Sequence, residues 1–196
     1  EGARRRRREI ISIPLTLTSL GAALRAAQGL VDDAGQGAKA MSEDYAQEQR
    51  RELLAQLGAD PTARTQPPAI RAHLRRLDDR LKAEARRQQH DTYDAALTDL
   101  ASVYRDALLV ATGSPVEPVN ATEPEQIERL ARALAPAALL EALETIGLAR
   151  QRLIANGAPL LVLEAMMIGL ILPTQDQGAA YGTAGGAGRP RAGTRR

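Results

Sequence analysis

Residues 70–113 read IRAHLRRLDDRLKAEARRQQHDTYDAALTDLASVYRDALLVATG, and the spacing of their apolar positions decides the fold. Ile70, Leu74, Leu77 and Leu81 recur at steps of four and three. So do Tyr93, Leu97, Leu100, Tyr104 and Leu108, with Ala96, Val103 and Ala107 beside them. That period belongs to a helix with one buried face. The twelve residues from Leu81 to Tyr93 turn an ideal helix by about three turns plus 120°. The apolar face therefore shifts along one long helix, which predicts a kink near Asp91 or a change of packing partner. A polar, Pro-containing linker that ends at Pro68 precedes the stripe, and Gly113 ends the helix.

The same period continues on both sides. Upstream, Ala3–Ile11 reads as a short helix ended by Pro14, and Thr18 or Ser19 can cap the next one. Leu20, Leu24, Ala27, Val31, Ala34, Ala38, Met41 and Tyr45 form the seam of a second long helix, whose small residues let a partner approach. Gly29, Gly35 and Gly37 weaken it by about 1 kcal/mol each relative to Ala. A further piece holds Leu53, Leu54 and Leu57 and stops at Gly58. ADPTARTQPP (59–68) is a polar linker. Downstream, 114–121 is a second linker. Thr122 as N-cap with Glu125 three residues on makes a capping box, with Pro124 in the first turn, and Ile127, Leu130 and Leu134 face inward. Pro136 opens a helix that buries Leu139, Leu143, Ile146, Leu153 and Ile154, and Asn156-Gly157 closes it. Pro159 starts the last helix, 160–172, which is apolar on nearly every face and so belongs at the centre of the bundle. From Thr174 the chain is Gly, Ala, Thr, Gln and Arg without apolar pattern, which predicts a disordered tail. The expected architecture is all-α: a bundle of about five to six helices, two of them long. Residues 1–14 form a junction segment, 15–172 the helical domain and 173–196 a basic, Gly-rich tail.

Composition agrees and excludes several chemistries. Of 196 residues 44% are hydrophobic but only 2% aromatic, with no Phe, Trp or Cys, so Leu, Ile, Val, Met and Ala must build the core. Absence of cysteine removes disulfides, thiolate zinc sites and Cys nucleophiles and fits a cytoplasmic protein. The net charge of +2 does not in itself point to a polyanion. No apolar h-region follows Arg4–Arg8, and Ala158–Leu172 is shorter than a span and holds Glu164. A chain that opens on Glu1 and runs at once into five arginines reads as a piece of a longer polypeptide.

No stretch carries a strong catalytic signal. There is no GxxxxGK[ST], and the Gly182–Gly188 run lacks the strand and helix that a phosphate loop needs. His73 and His90 stand too far apart on a straight helix to share a metal. No serine sits in a strand–turn–helix elbow. Glu141 with Glu144, and Asp78 with Asp79, read as the solvated face of amphipathic helices. Basic clusters occupy Arg4–Arg8, Arg71–Arg87 and Arg189–Arg196. The middle one is interleaved with Asp78, Asp79 and Glu84, so ion pairs should dilute it. Each cluster reads first as solvated surface, and weak, non-specific contact with a phosphate backbone is the functional alternative for the terminal ones.

Three stretches together carry a resemblance: Ala3–Val31 (ARRRRREIISIPLTLTSLGAALRAAQGLV), His73–Gly113, and Leu148–Gly169 (LARQRLIANGAPLLVLEAMMIG). In that order and spacing they resemble the C-terminal, collar part of actinobacterial-type delta-prime subunits of the DNA polymerase III clamp loader. The pattern Asn156-x-x-Pro159-x-Leu161-x-Leu163-Glu164 is shared by several clamp-loader subunits. Asp99-Leu100-x-x-x-Tyr104-Arg105-Asp106-x-Leu108 is more specific to delta-prime. The resemblance spans about residues 1–172. It implies a helical collar domain that holds a clamp-loader hetero-pentamer together with gamma/tau and delta, in ATP-driven loading of the sliding clamp onto primer–template DNA. It would make the chain part of a non-catalytic subunit of a DNA-directed DNA polymerase holoenzyme. The family's ATP and zinc sites lie in an N-terminal AAA+ region with no counterpart here, so no catalytic, cofactor or metal residue is expected. The expected packing or interface residues are Leu97, Leu100, Tyr104, Leu108, Leu161, Leu163 and Met167. A stand-alone basic helical nucleic-acid module is the alternative. A membrane-surface role rests only on Ala158–Leu172, and no membrane partner is expected.

Overall fold

A computed structural model describes residues 2–172 except 62 and 64; the side chains of 3, 4 and 37–42 are likewise outside the described set. The expected tail, with its Gly-rich run and last basic cluster, lies outside the described residues. Six α-helices follow in order: α1 (Gly2–Thr16), α2 (Leu20–Gln56), α3 (Pro68–Ala111), α4 (Pro124–Ala133), α5 (Pro136–Ile154) and α6 (Pro159–Gly169). The all-α bundle with two long helices is therefore as the sequence reads.

α2 and α3 are one antiparallel hairpin, about 55 and about 66 Å long at 1.5 Å per residue. Their lengths come from their terminators. Ser19 caps α2 by accepting the Ala22 N–H at 3.2 Å, and Pro68 sits in the first turn of α3, where a missing N–H costs nothing. Gly58 and Gly113 close the two helices in the left-handed region, at φ +62° and +63°. In each case a bond returns five residues: Ala59 N–H to Leu54 O and Ser114 N–H to Leu109 O, both 2.9 Å. The two apolar pieces expected in residues 20–57 are thus a single helix.

α3 is the central element. Its second half, from Tyr93 to Ala107, holds all of its buried residues and packs on α1, α4 and α5 as well as α2. Its first half meets α2. The shift of apolar face near Asp91 is therefore a change of partner along one continuous helix. α6 lies on α2 and α5, in an outer layer instead of the centre its composition suggested. It ends at Gly169, where an added Cβ would come 3.2 Å from Thr145 Cγ2 of α5. Just beyond, the Leu172 N–H donates to Leu17 O at 2.8 Å, pinning the end of α6 to the α1–α2 turn.

Four local expectations are corrected. Pro14 does not stop α1; it occupies the last turn, and Thr16 Oγ1 donates to Ile13 O at 2.8 Å while Leu17 is wholly buried just beyond. On α2 the buried stripe is Ala23, Ala27, Leu30 and Ala34, and Leu20, Leu24 and Tyr45 are exposed. The contact face is centred on the alanines, which allow close helix approach, and the bulkier leucines flank it. The N-cap of α4 is Glu123, not Thr122, and makes no side-chain cap bond; its carboxylate lies 3.5 Å from Arg8 Nε instead. Ile154 at the end of α5 is 77% exposed, because the helix closes immediately after it.

Candidate assembly surface

The expected packing residues fall into two sets. Leu97, Leu100, Tyr104, Leu163 and Met167 are buried within the domain's own core, and Leu108 packs partly buried against it. Leu161 is 67% exposed. The shared pattern around it is otherwise mostly explained by the fold. Asn156 adopts φ 61° and takes the left-handed position that closes α5. The Gly157 N–H returns to Arg152 O at 2.8 Å, and a Cβ on Gly157 would clash with that carbonyl. Pro159 occupies the first turn of α6, and Leu163 fills the core. Glu164 is half-buried and makes no ion pair among the described residues. Leu161 is the apolar position of the pattern that the fold leaves in solvent.

Leu161 has company that the sequence reading missed. Ile168 on α6 and Leu140, Leu148 and Ile154 on α5 are also exposed. On α6, Leu161 and Ile168 are seven residues apart, with exposed Ala165 between them, so they share one outward stripe. Ile154 borders a hollow of about 300 Å³ lined by Leu97 and Leu153 and by the ion pair of Arg150 Nη2 with Asp94 Oδ1 at 2.7 Å. The signal was present: α6 is apolar all round, which fits a helix with chains on both sides as well as a helix at a centre.

A polar joint ties α1 and the loop before α4 onto α3. Asp106, fully buried, accepts the Asn120 backbone N–H at 2.7 Å and its Nδ2 at 2.8 Å through Oδ2; its Oδ1 accepts Arg105 Nη1 at 2.9 Å. Asn120 Nδ2 also donates to Ser102 Oγ at 3.0 Å, and its Oδ1 accepts Arg7 Nη2 at 3.1 Å. Arg7 Nε lies 3.5 Å from Asp99 Oδ1. Asp99 and Asp106 are thereby structural: they hold a connection. Asp106 is satisfied on both oxygens, which suits a clamp more than a proton carrier. Asn120 was not singled out in the sequence, and a loop asparagine gives no periodic signal.

The other titratable candidates are dispersed. Glu141, Glu144 and Asp79 are exposed, and Asp78 is paired with Arg50. His73 is exposed, and His90 stacks edge-on against Tyr93 with ring centroids 6.5 Å apart. Among the described residues no group of three or more His, Asp or Glu is placed to hold a metal ion. Burial holds the Tyr104 phenol well above its ordinary range, and Tyr93 is raised for the same reason. The Tyr104 hydroxyl has no hydrogen-bond partner among the described residues. No described helix is long and apolar enough to cross a membrane. No family model matches the chain, and no curated protein or solved structure matches it.

Proposed function

We propose that this chain is the collar domain of a delta-prime-type clamp-loader subunit, a module that joins polypeptides and carries no catalytic group of its own. The observation that carries this reading is Leu161. Within a pattern shared by clamp-loader subunits, it is a large apolar side chain that the domain's own packing does not use, at 67% exposure. Ile168 extends the same stripe. A family-shared residue left in water fits a role against another chain better than a role in folding. The remaining shared positions set up the turn and the helix that present it.

The partners implied are gamma/tau and delta, in a hetero-pentamer of the cytoplasm, with the sliding clamp and primer–template DNA engaged through the assembled machine. ATP use and zinc binding belong to the AAA+ region of that family, and this domain would support them only by holding neighbours in place. Binding would draw on apolar burial of roughly 25 cal/mol per Å², less the cost of association. Co-expression with the gamma/tau and delta subunits tests this. The expected result is a stoichiometric complex that survives gel filtration at high salt; elution of this chain by itself, with the other subunits associated without it, would count against the reading.

A further inference from the structure

The outer half of α3 carries a charge distribution that the fold does not consume. Between Arg71 and Arg87 there are seven Arg or Lys and three Asp or Glu, and all seven cations are exposed. The sequence suggests that the carboxylates neutralise their neighbours. In the structure Asp78 turns to α2, where Arg50 Nε and Nη2 both donate to its Oδ1, at 3.0 and 2.8 Å. Glu84 is taken by Arg80 at 2.9 Å, and the third carboxylate, Asp79, is exposed and in no ion pair among the described residues. Arg71, Arg75, Lys82 and Arg86 make no ion pair among the described residues, and neither do Arg76 and Arg87.

These cations are ordered by the helix. At 100° per residue, Arg71, Arg75, Lys82 and Arg86 fall within about 60° of arc over about 22 Å of axis. Arg76 and Arg87 form a second row about 100° further round. We propose that this face of α3 is a binding surface for the sugar–phosphate backbone of nucleic acid, read without regard to sequence. Arginine predominates, and its planar fork matches phosphate oxygens. Duplex DNA offers about one charge per 1.7 Å of axis, so a rigid row of this length meets several phosphates at once. The rows themselves hold no Phe, Tyr or Trp, and the one tyrosine near them, Tyr45 of α2 beside Arg80, stands alone, so base stacking has no extended platform here. An anionic membrane is the less suitable partner. No exposed large apolar residue lies within this segment, a single tyrosine, Tyr45 of α2, is exposed beside it, and the apolar side of the helix (Ile70, Leu74, Leu77, Leu81) faces α2 and is half-buried. One tyrosine is too little apolar surface to seat a helix in a bilayer. The inference stands apart from the collar assignment, because these residues are remote in sequence from the α5 and α6 stripe.

The test is fluorescence anisotropy with the whole 196-residue chain, a labelled random-sequence duplex, and vesicles containing phosphatidylserine. Expected is micromolar duplex binding at low salt, with log affinity falling against log salt at a slope of about −3 to −4, for three to four neutralised phosphates. Arg75→Glu, Lys82→Glu and Arg86→Glu combined should weaken it at least tenfold with unchanged helical circular dichroism. Glutamine at the same three positions gives a milder loss and guards against misfolding by charge reversal. Wild-type affinity in both triple variants, or affinity lost only when residues 174–196 are deleted, overturns the proposal in favour of the terminal arginines. Vesicle binding stronger than duplex binding overturns it in favour of a membrane surface.

Discussion

The two halves of α3 are built for different work. From Tyr93 onward, eight of its residues are buried and four other helices press on it. Before Tyr93 none is buried, and beyond Ala34 the partner helix α2 buries only Leu54 among the described residues. One half is held by tertiary packing, the other by a thin seam and an ion pair. A helix beyond its core relies on propensity and a single neighbour. Its surface is then free to carry charge, whereas the base of the bundle must spend its surface on apolar contact.

The largest expected effect tests that contrast directly. Leu100→Ala, at a wholly buried site, should cost about 3–5 kcal/mol in urea unfolding. Leu77→Ala, at a half-buried site on the arm, should cost less than about 1.5 kcal/mol. Equal losses would mean that arm and base fold as one tightly packed body. Next comes the polar joint. Asp106→Ala leaves two Asn120 donors without an acceptor and should cost about 3 kcal/mol, with Asp106→Asn milder.

Much of this contrast is legible in the sequence, and its failures have physical causes. The ends of α2 and α3 follow from Ser19, Gly58, Pro68 and Gly113, which impose local geometry whatever surrounds them. The second half of α3 shows its buried face by period alone. The face of α2 misleads because Ala23, Ala27 and Ala34 give a weaker hydrophobic signal than Leu20 and Leu24, yet close approach favours the small residues. Thr122 loses the cap to Glu123, and Asn120 just before it is fixed by Asp106, a tie between elements that no spacing rule contains. As for the candidate surface, Leu161 was singled out with six residues that turn out to be core; periodicity finds apolar faces but cannot tell an inner one from an outer one.

Two smaller effects sharpen the comparison. Tyr104→Phe should be neutral or stabilising by up to about 1 kcal/mol, since it removes a buried hydroxyl that has no partner among the described residues. Its raised ionisation favours the protonated fold. That contribution is whole below the unfolded tyrosine value of 10.0 and is lost as pH rises through the higher folded value. The phenylalanine variant should therefore show a shallower alkaline loss of stability in pH-dependent melting; an unchanged slope would put the titration elsewhere. The smallest effect is on the arm: Arg50→Ala should cost less than about 1 kcal/mol, because the pair with Asp78 is partly solvated. A larger loss would show that one ion pair sustains the hairpin.

Sedimentation velocity on mixtures of this chain with gamma/tau and delta tests the central claim most directly. The account predicts that Leu161→Glu with Ile168→Glu leaves the chain folded but sedimenting as free protein, while Leu57→Glu, on the arm, still sediments with the complex. A double variant that assembles as fully as the unaltered chain would contradict it.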